Sequence, residues 1–266
     1  MRRFGLIGFP LGHSFSKHFF EEKFEREGIA DARYDLFPMA DIRQLPNLLA
    51  EHPDLCGLNV TIPHKQSVLR YLHDLDPTAR AVGAVNTVRI RNGRLKGYNT
   101  DVIGFEKSLL GWAPFVAQAP TPGMDQPWFS PLDGPPVEYM RAVVLGTGGA
   151  ARAVGYVLKK WGVHGTFVSR ALKTEGYISY DKLNARTASD FTLLVNATPV
   201  GTYPDEDACP PVPFDLLGER HLVYDLVYNP AETLLLRRAR AKGAAVKSGL
   251  EMLYLQAEAA WNIWQV

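Results

Sequence analysis

Val143-Val-Leu-Gly146-Thr-Gly148-Gly149-Ala150-Ala151-Arg152 decides the fold of this chain. An apolar run enters a Gly-x-Gly-x-x-Ala turn, and a helical pattern leaves it. In that strand–turn–helix setting Gly146 permits the tight turn, Gly148 lets backbone approach a pyrophosphate, and Ala151 fills the third small position. The helix begins at Gly149 and Ala150, where free N–H groups and the positive dipole end suit phosphate. A glycine turn without a ligand is the competing reading, and the context favours the nucleotide.

Outward from this stretch, strands and helices alternate in both directions. Downstream come strands over Gly165–Val168, Thr192–Asn196, Leu222–Leu226 and Ala244–Lys247. A helix over Ala231–Ala241 is expected to begin at Asn229-Pro230, with proline in its first turn. The last helix, Leu250–Trp264, spaces Leu253, Ala257, Ala260 and Trp264 so as to bury one face. Upstream, strands are read at Phe4–Gly8, Tyr34–Phe37 and Leu58–Ile62. Helices are read from Ser16 to Glu27, closed by Gly28, and around Leu48–Glu51. The rhythm argues for an α/β fold with a largely parallel sheet. Between the halves, Gly111–Met140 holds seven of the nineteen prolines and reads as a surface excursion.

The strand after the glycine turn bears on the cofactor. An NAD site places Asp or Glu at its end for the ribose 2′-hydroxyl, whereas a 2′-phosphate needs cations. Here it ends Phe167-Val-Ser169-Arg170, with Lys173 beyond and no carboxylate before Glu175. Arg170 can grip a phosphate bidentately, so NADP is favoured. Asn196-Ala-Thr198-Pro-Val-Gly201 ends a later strand in a turn that Pro199 and Gly201 could shape by themselves.

Composition narrows the function. The 266 residues are 46% hydrophobic and 21% charged with a net charge of +1, ordinary for a globular protein of one or two domains. The balance argues against a nucleic-acid partner, and no apolar run reaches the roughly 18 residues of a membrane span. The apolar run after Arg2 and Arg3 is too short for a signal peptide. Cys56 and Cys209, without CxxC spacing, suggest neither a disulfide framework nor a metal site, and a reducing cytoplasm is expected.

A second constellation lies in the first half. In Gly57-Leu-Asn-Val-Thr-Ile-Pro-His-Lys65, alternation puts Asn59 and Thr61 on one strand face and Val60 and Ile62 on the other. Pro63 ends the ladder and Lys65 follows the strand tip, where α/β proteins place their chemistry. Ala84-Val-Asn86-Thr-Val88 and Gly97-Tyr-Asn-Thr-Asp101 come next. Asp101 heads a helix, where it could serve as a cap. Beside Lys65 it could instead join a pair that passes a proton to a substrate hydroxyl. Gly8-Phe-Pro-Leu-Gly-His13-Ser14-Phe-Ser16 follows the first strand. Ser14 and Ser16 could converge on a carboxylate or hydroxyl; Ser16 could also cap its helix, and His13 reads as structural.

In order along the chain, these segments resemble the shikimate dehydrogenase family. The matches are G-x-P-x-x-HS-x-S, NVTxPxK, GAVNT, G-x-NTD, the glycine turn, NATP-x-G, Asp225-Leu-Val227-Tyr228-Asn-Pro230 as D-x-x-Y-x-P, and Gly249-Leu-Glu-Met252-Leu-Tyr-Leu-Gln256 as G-x-x-ML-x-x-Q. The resemblance covers the chain from about residue 4, departing over Gly111–Met140 and around Ser169, where the family usually reads Asn-Arg-Thr. It implies a two-domain α/β enzyme with a cleft between a substrate-binding domain (1–103 plus 248–266) and a Rossmann NADP-binding domain (104–247). The implied activity is reversible NADP-dependent reduction of 3-dehydroshikimate to shikimate, and a homodimer is compatible with it. Lys65 and Asp101 carry over as the catalytic pair. Ser14, Ser16, Asn59, Thr61, Asn86, Tyr228 and Gln256 carry over to substrate. Gly146, Gly148, Gly149, Ala150, Arg170, Lys173, Thr198, Val227, Gly249 and Met252 carry over to cofactor. An NAD-dependent quinate/shikimate dehydrogenase would want an acidic residue after Val168. A non-catalytic metabolite-binding relative would have lost Lys65 or Asp101. A tetrahydrofolate dehydrogenase fits neither the paired serines nor the NTD segment.

Overall fold

The computed structural model describes residues 1–12, 15–118, 140–170, 177–183 and 191–266. Most of the proline-rich excursion, with His13, Ser14 and Lys173, lies outside them. The chain forms two compact units, one of Met1–Gly104 with Tyr254–Val266, the other of Phe105–Leu253.

The first unit is built on a six-stranded sheet of β1 (Arg2–Gly8), β2 (Ala32–Pro38), β3 (Leu55–Val60), β4 (Asp74–Leu75), β5 (Thr87–Arg91) and β6 (Arg94–Tyr98), in the order β2-β1-β3-β5-β6-β4. Strands β1, β2 and β3 are mutually parallel, as the rhythm predicts. β5 and β6 form an antiparallel hairpin, and β5 also runs antiparallel to β3. The sequence reading names no strand there, so the largely parallel expectation is corrected to a mixed sheet. Its turn signal was present: Asn92 and Gly93 both take positive φ, 49° and 71°, as a type I′ hairpin requires.

Alternation along β1 sends Phe4 and Leu6 to one face and Ile7 to the other. On the first face they meet Phe20 and Phe24 of α1 (Phe15–Arg26), and Trp261 and Trp264 from the far end of the chain. Phe4 stacks on Trp264 with centroids 4.8 Å apart. On the second face Ile7, Leu58 and Val60 pack with Leu45 and Leu48 of α2 (Leu45–Glu51) and Ala79 of α3 (Pro77–Val82).

Several expected boundaries move. β3 stops at Val60, before Ile62. Thr61 N still donates to Ile7 O at 2.9 Å, but Ile62 is 58% exposed and does not share a buried face with Val60. The ladder runs out because β5 begins at Thr87, opposite Asn59. α1 begins at Phe15, so Ser16 lies inside its first turn and is not its cap. Helix α4 (Thr100–Leu110) is capped by Asn99, whose Oδ1 accepts from Val102 N at 3.2 Å, so Asp101 is released from that duty. A short helix, α5 (Ala113–Val116), follows.

The second unit carries a fully parallel sheet of β7 (Arg141–Leu145), β8 (His164–Val168), β9 (Tyr177–Ile178), β10 (Leu193–Asn196), β11 (Leu222–Asp225) and β12 (Ala245–Ser248). Read from one edge the order is β9-β8-β7-β10-β11-β12. This is the doubly wound 3-2-1-4-5-6 order, with its reversal between β7 and β10. The chain is therefore α/β with a Rossmann-type second unit. Val143, Leu145, Val168, Leu194 and Val223 pack with Leu235, Leu236 and Ala239 of α7 (Leu234–Ala241). α7 starts later than Asn229-Pro230, because Thr233 is its cap and accepts from Leu236 N at 3.3 Å. α6 (Gly149–Lys160) and the C-terminal helix α8 (Leu250–Gln265) are the other α-helices among the described residues. Unit boundaries fall inside α4 and α8. No helix among the described residues is long and apolar enough to cross a membrane.

Candidate active site

Lys65 and Asp101 meet. Lys65 Nζ donates to Asp101 Oδ2 at 2.6 Å, and their side chains are only 17% and 8% exposed. Two local features deliver them. Lys65 sits in the turn after β3, anchored by Val85 N donating to Lys65 O at 2.7 Å. Asp101 lies in the first turn of α4, where the helix dipole favours a negative charge.

Asn86 fixes the carboxylate. Its Nδ2 donates to Asp101 Oδ1 at 2.8 Å and to Thr100 Oγ1 at 2.9 Å, while its Oδ1 accepts from Thr100 N at 2.6 Å. Gln256 Oε1 also lies 3.4 Å from Asn86 Nδ2. Both oxygens of Asp101 thus have donors, which a buried ion pair needs to offset its desolvation. Such a pair can hold a proton at a substrate oxygen and take it back.

Asn59 is buried and already engaged. It accepts from the Tyr34 phenol at 2.8 Å and donates to Thr87 Oγ1 at 3.2 Å. Burial pushes the Tyr34 phenol well above its ordinary pKa, against a hydrogen bond from Ser16. Asn59 therefore braces the strand tip, next to half-buried Thr61. Thr87, Thr100, Asn99 and Tyr34 were missed by sequence reasoning. Three of them stood inside the quoted AVNT and NTD segments, but nothing local marked which hydroxyls or amides face inward.

In the second unit, Gly146 takes φ +107° at the end of β7, its N donating to Val168 O at 2.9 Å. A side chain there would press on Ala197 and Thr198, whereas one on Gly148 would meet nothing within 4 Å. The backbone at Gly148 is thus open to a ligand beside the free N–H groups of α6, and Gly149 and Ala150 form its first positions. Ala151 is fully buried. These residues fit a dinucleotide pyrophosphate. Arg170 is exposed just past β8, and Ser169 and Arg170 are the residues described there.

The turn after β10 flanks the glycine loop, with Ala197 N donating to Leu145 O at 2.9 Å. Thr198 Oγ1 donates to Asn196 Oδ1 at 2.6 Å. Val227 N donates to Asp225 Oδ1 at 3.0 Å, and Gly249 N to Val227 O at 3.2 Å. Gly249 tolerates no side chain, because a Cβ would run into the Leu226 carbonyl. Tyr228 is half-buried, and this burial raises its phenol pKa. Met252 is buried on α8, one helical turn before Gln256. Among the described residues no cluster of His, Cys, Asp and Glu could hold a metal ion.

Residues 6–88 match the family model described as the shikimate dehydrogenase substrate binding domain. A shikimate dehydrogenase (NADP(+)) of Symbiobacterium thermophilum is 38% identical, over 99% of this chain and 88% of the relative. That of Desulforamulus reducens is 34% identical, over 98% and 88%. The solved shikimate 5-dehydrogenase of Thermus thermophilus, in complex with NADP(H) and shikimate, superposes with a TM-score of 0.78 at 34% identity, covering 99% of this chain and 93% of that one. With identity at this level sustained along nearly its whole length, the chain belongs to the shikimate dehydrogenase family.

Proposed function

We propose that this chain catalyses the reversible NADP-dependent reduction of 3-dehydroshikimate to shikimate, a step toward chorismate and the aromatic amino acids. The observation that carries the reading is the Lys65–Asp101 pair at 2.6 Å, with its carboxylate locked by Asn86. Bound NADP(H) supplies or accepts the hydride. Lys65 gives the proton to the carbonyl oxygen during reduction and recovers it from the hydroxyl during oxidation. Asp101 orients Lys65 and stabilises its charge. Ser14, Ser16, Thr61, Asn86, Tyr228 and Gln256 bind the carboxylate and ring hydroxyls, with Asn59 bracing the strand tip. Gly146, Gly148, Gly149 and Ala150 hold the pyrophosphate, and Arg170, with Lys173, the 2′-phosphate. Thr198, Val227, Gly249 and Met252 line the rest of the cofactor site.

In domain terms, 1–103 with 248–266 bind substrate and 104–247 bind NADP. The match of residues 6–88 to a substrate-binding family model supports the first assignment. A cytoplasmic enzyme, acting on a small molecule without nucleic acid or membrane, is part of the same proposal.

A steady-state assay crossing shikimate and quinate with NADP and NAD tests it. Shikimate with NADP should give the highest kcat/KM. A preference for NAD with quinate would favour the quinate/shikimate dehydrogenase reading, and no turnover in any combination would favour a metabolite-binding relative.

A further inference from the structure

Asp225 is a fully buried carboxylate that the reaction above does not use. It ends β11, and it gathers donors from three separate segments. Oδ1 accepts from Asn196 Nδ2 at 2.9 Å and from Val227 N at 3.0 Å, while Oδ2 accepts from Thr233 Oγ1 at 2.6 Å. Each donor belongs to a segment at or just past the carboxyl ends of β10 and β11 or to the cap of α7. Asn196 relays the constraint, its Oδ1 accepting from Thr198 N at 3.1 Å and Thr198 Oγ1 at 2.6 Å. Thr198 in turn stands against Gly146 of the phosphate loop. Through Val227, whose carbonyl accepts from Gly249 N at 3.2 Å, the same carboxylate reaches the start of α8.

Stability does not explain a carboxylate here. Burying one is costly, and well-packed apolar groups of similar volume usually serve a core as well or better. What a carboxylate does, and an apolar residue cannot, is accept several hydrogen bonds at once. We propose that Asp225 is a positioning residue for the cofactor, fixing the turns that present Thr198 and Val227 beside the glycine loop. The inference rests on the reading that those turns touch NADP.

The test uses the full-length enzyme. Asp225→Ala should raise the NADP Kd, measured by titration calorimetry, by about tenfold or more, because it strands three donors. The KM for shikimate should rise less than the NADP Kd, since of the substrate-binding residues only Tyr228 lies in a turn that Asp225 holds. Asp225→Asn, which keeps one acceptor oxygen and the shape, should recover most of the affinity. A folded Asp225→Ala enzyme with wild-type NADP Kd, whatever its melting temperature, overturns the role. So do equal losses for NADP and shikimate. Should Asp225→Ala not fold, Asn196→Ala breaks the same relay from the other side, and an unchanged Kd there also overturns it. A wild type that turns over shikimate with NADP while these variants bind NADP normally sinks this inference alone. A wild type that binds no NADP sinks both it and the cofactor reading.

Discussion

Lys65 and Asp101 show how much chemistry two side chains can hold once their surroundings are satisfied. The pair is nearly out of water, and Asn86 occupies the carboxylate oxygen that Lys65 leaves. Lys65→Met should cut turnover roughly 10²–10⁴-fold, the usual loss for an acid–base group, while shikimate still binds in equilibrium titration. Near-wild-type turnover would remove Lys65 from the reaction. Asp101→Asn should lower kcat with the helix content kept, because Asn99 caps α4 and Asp101 does not, while the charge partner lost to Lys65 lowers the melting temperature. A melting collapse with full specific activity in the surviving enzyme would return Asp101 to a structural role. At this scale the sequence was informative about residue type and poor about direction. Asn59 was legible as a site residue, but its partners Tyr34 and Thr87 were not. Those partners lie 25 and 28 residues away, beyond any local pattern.

Helix starts and strand ends moved by one to three residues, and at several of them a distant group engages the residues at the terminus. Thr233 caps α7 while its hydroxyl donates to Asp225. Ser16 is drawn toward Tyr34 from inside α1. Asn99 does double duty, accepting from Val102 N and donating to Ala84 O at 2.9 Å. Asn99→Ala should therefore cost about 1–2 kcal/mol in denaturant unfolding, from a lost cap and an unmet carbonyl. A change under about 0.3 kcal/mol, smaller than a lost cap alone, would mean that α4 does not depend on it. The β5–β6 hairpin is legible from Asn92-Gly93 and from the alternation of Val88 and Ile90 with Arg89 and Arg91 and of Leu95 with Arg94 and Lys96.

Across the whole molecule two properties follow from charge. The first is cofactor choice. Arg170→Ala should remove most of the preference for NADP over NAD, since losing a charged hydrogen-bond partner costs roughly 1.5–3 kcal/mol, and leave NAD kinetics nearly unchanged. Added salt should weaken NADP binding more than NAD binding, because Arg170 is exposed and screened. Equal losses for both cofactors would reassign Arg170 to the adenine or the fold. The second is the pH dependence of stability. Burial lifts Asp225 to about 6 from an ordinary 3.8, against the hydrogen bonds from Thr233, Val227 and Asn196. The folded state thus holds this proton more tightly than the unfolded chain. Its contribution to stability is full below about pH 4 and is lost as pH rises through about 6. Relative to Asp225→Asn, the wild type should be more stable at pH 4 than at pH 7.5 by up to about 2–3 kcal/mol. A stability difference flat across that range would show that Asp225 does not titrate this way.

The alternation of elements, the glycine turn and the order of the motifs were settled by the chain alone. They depend on period, on the absence of a side chain at Gly146 and Gly148, and on neighbours a few residues apart. The strand order, the antiparallel pairing of β5 with β3 and the capping of α4 by Asn99 were decided only by folding. So were the lock of Asp101 by Asn86 and the collection of three donors by Asp225. The physical reason is common to all of them. A buried polar atom must find a partner, and which partner it finds depends on segments that the sequence keeps apart and the sheets bring together.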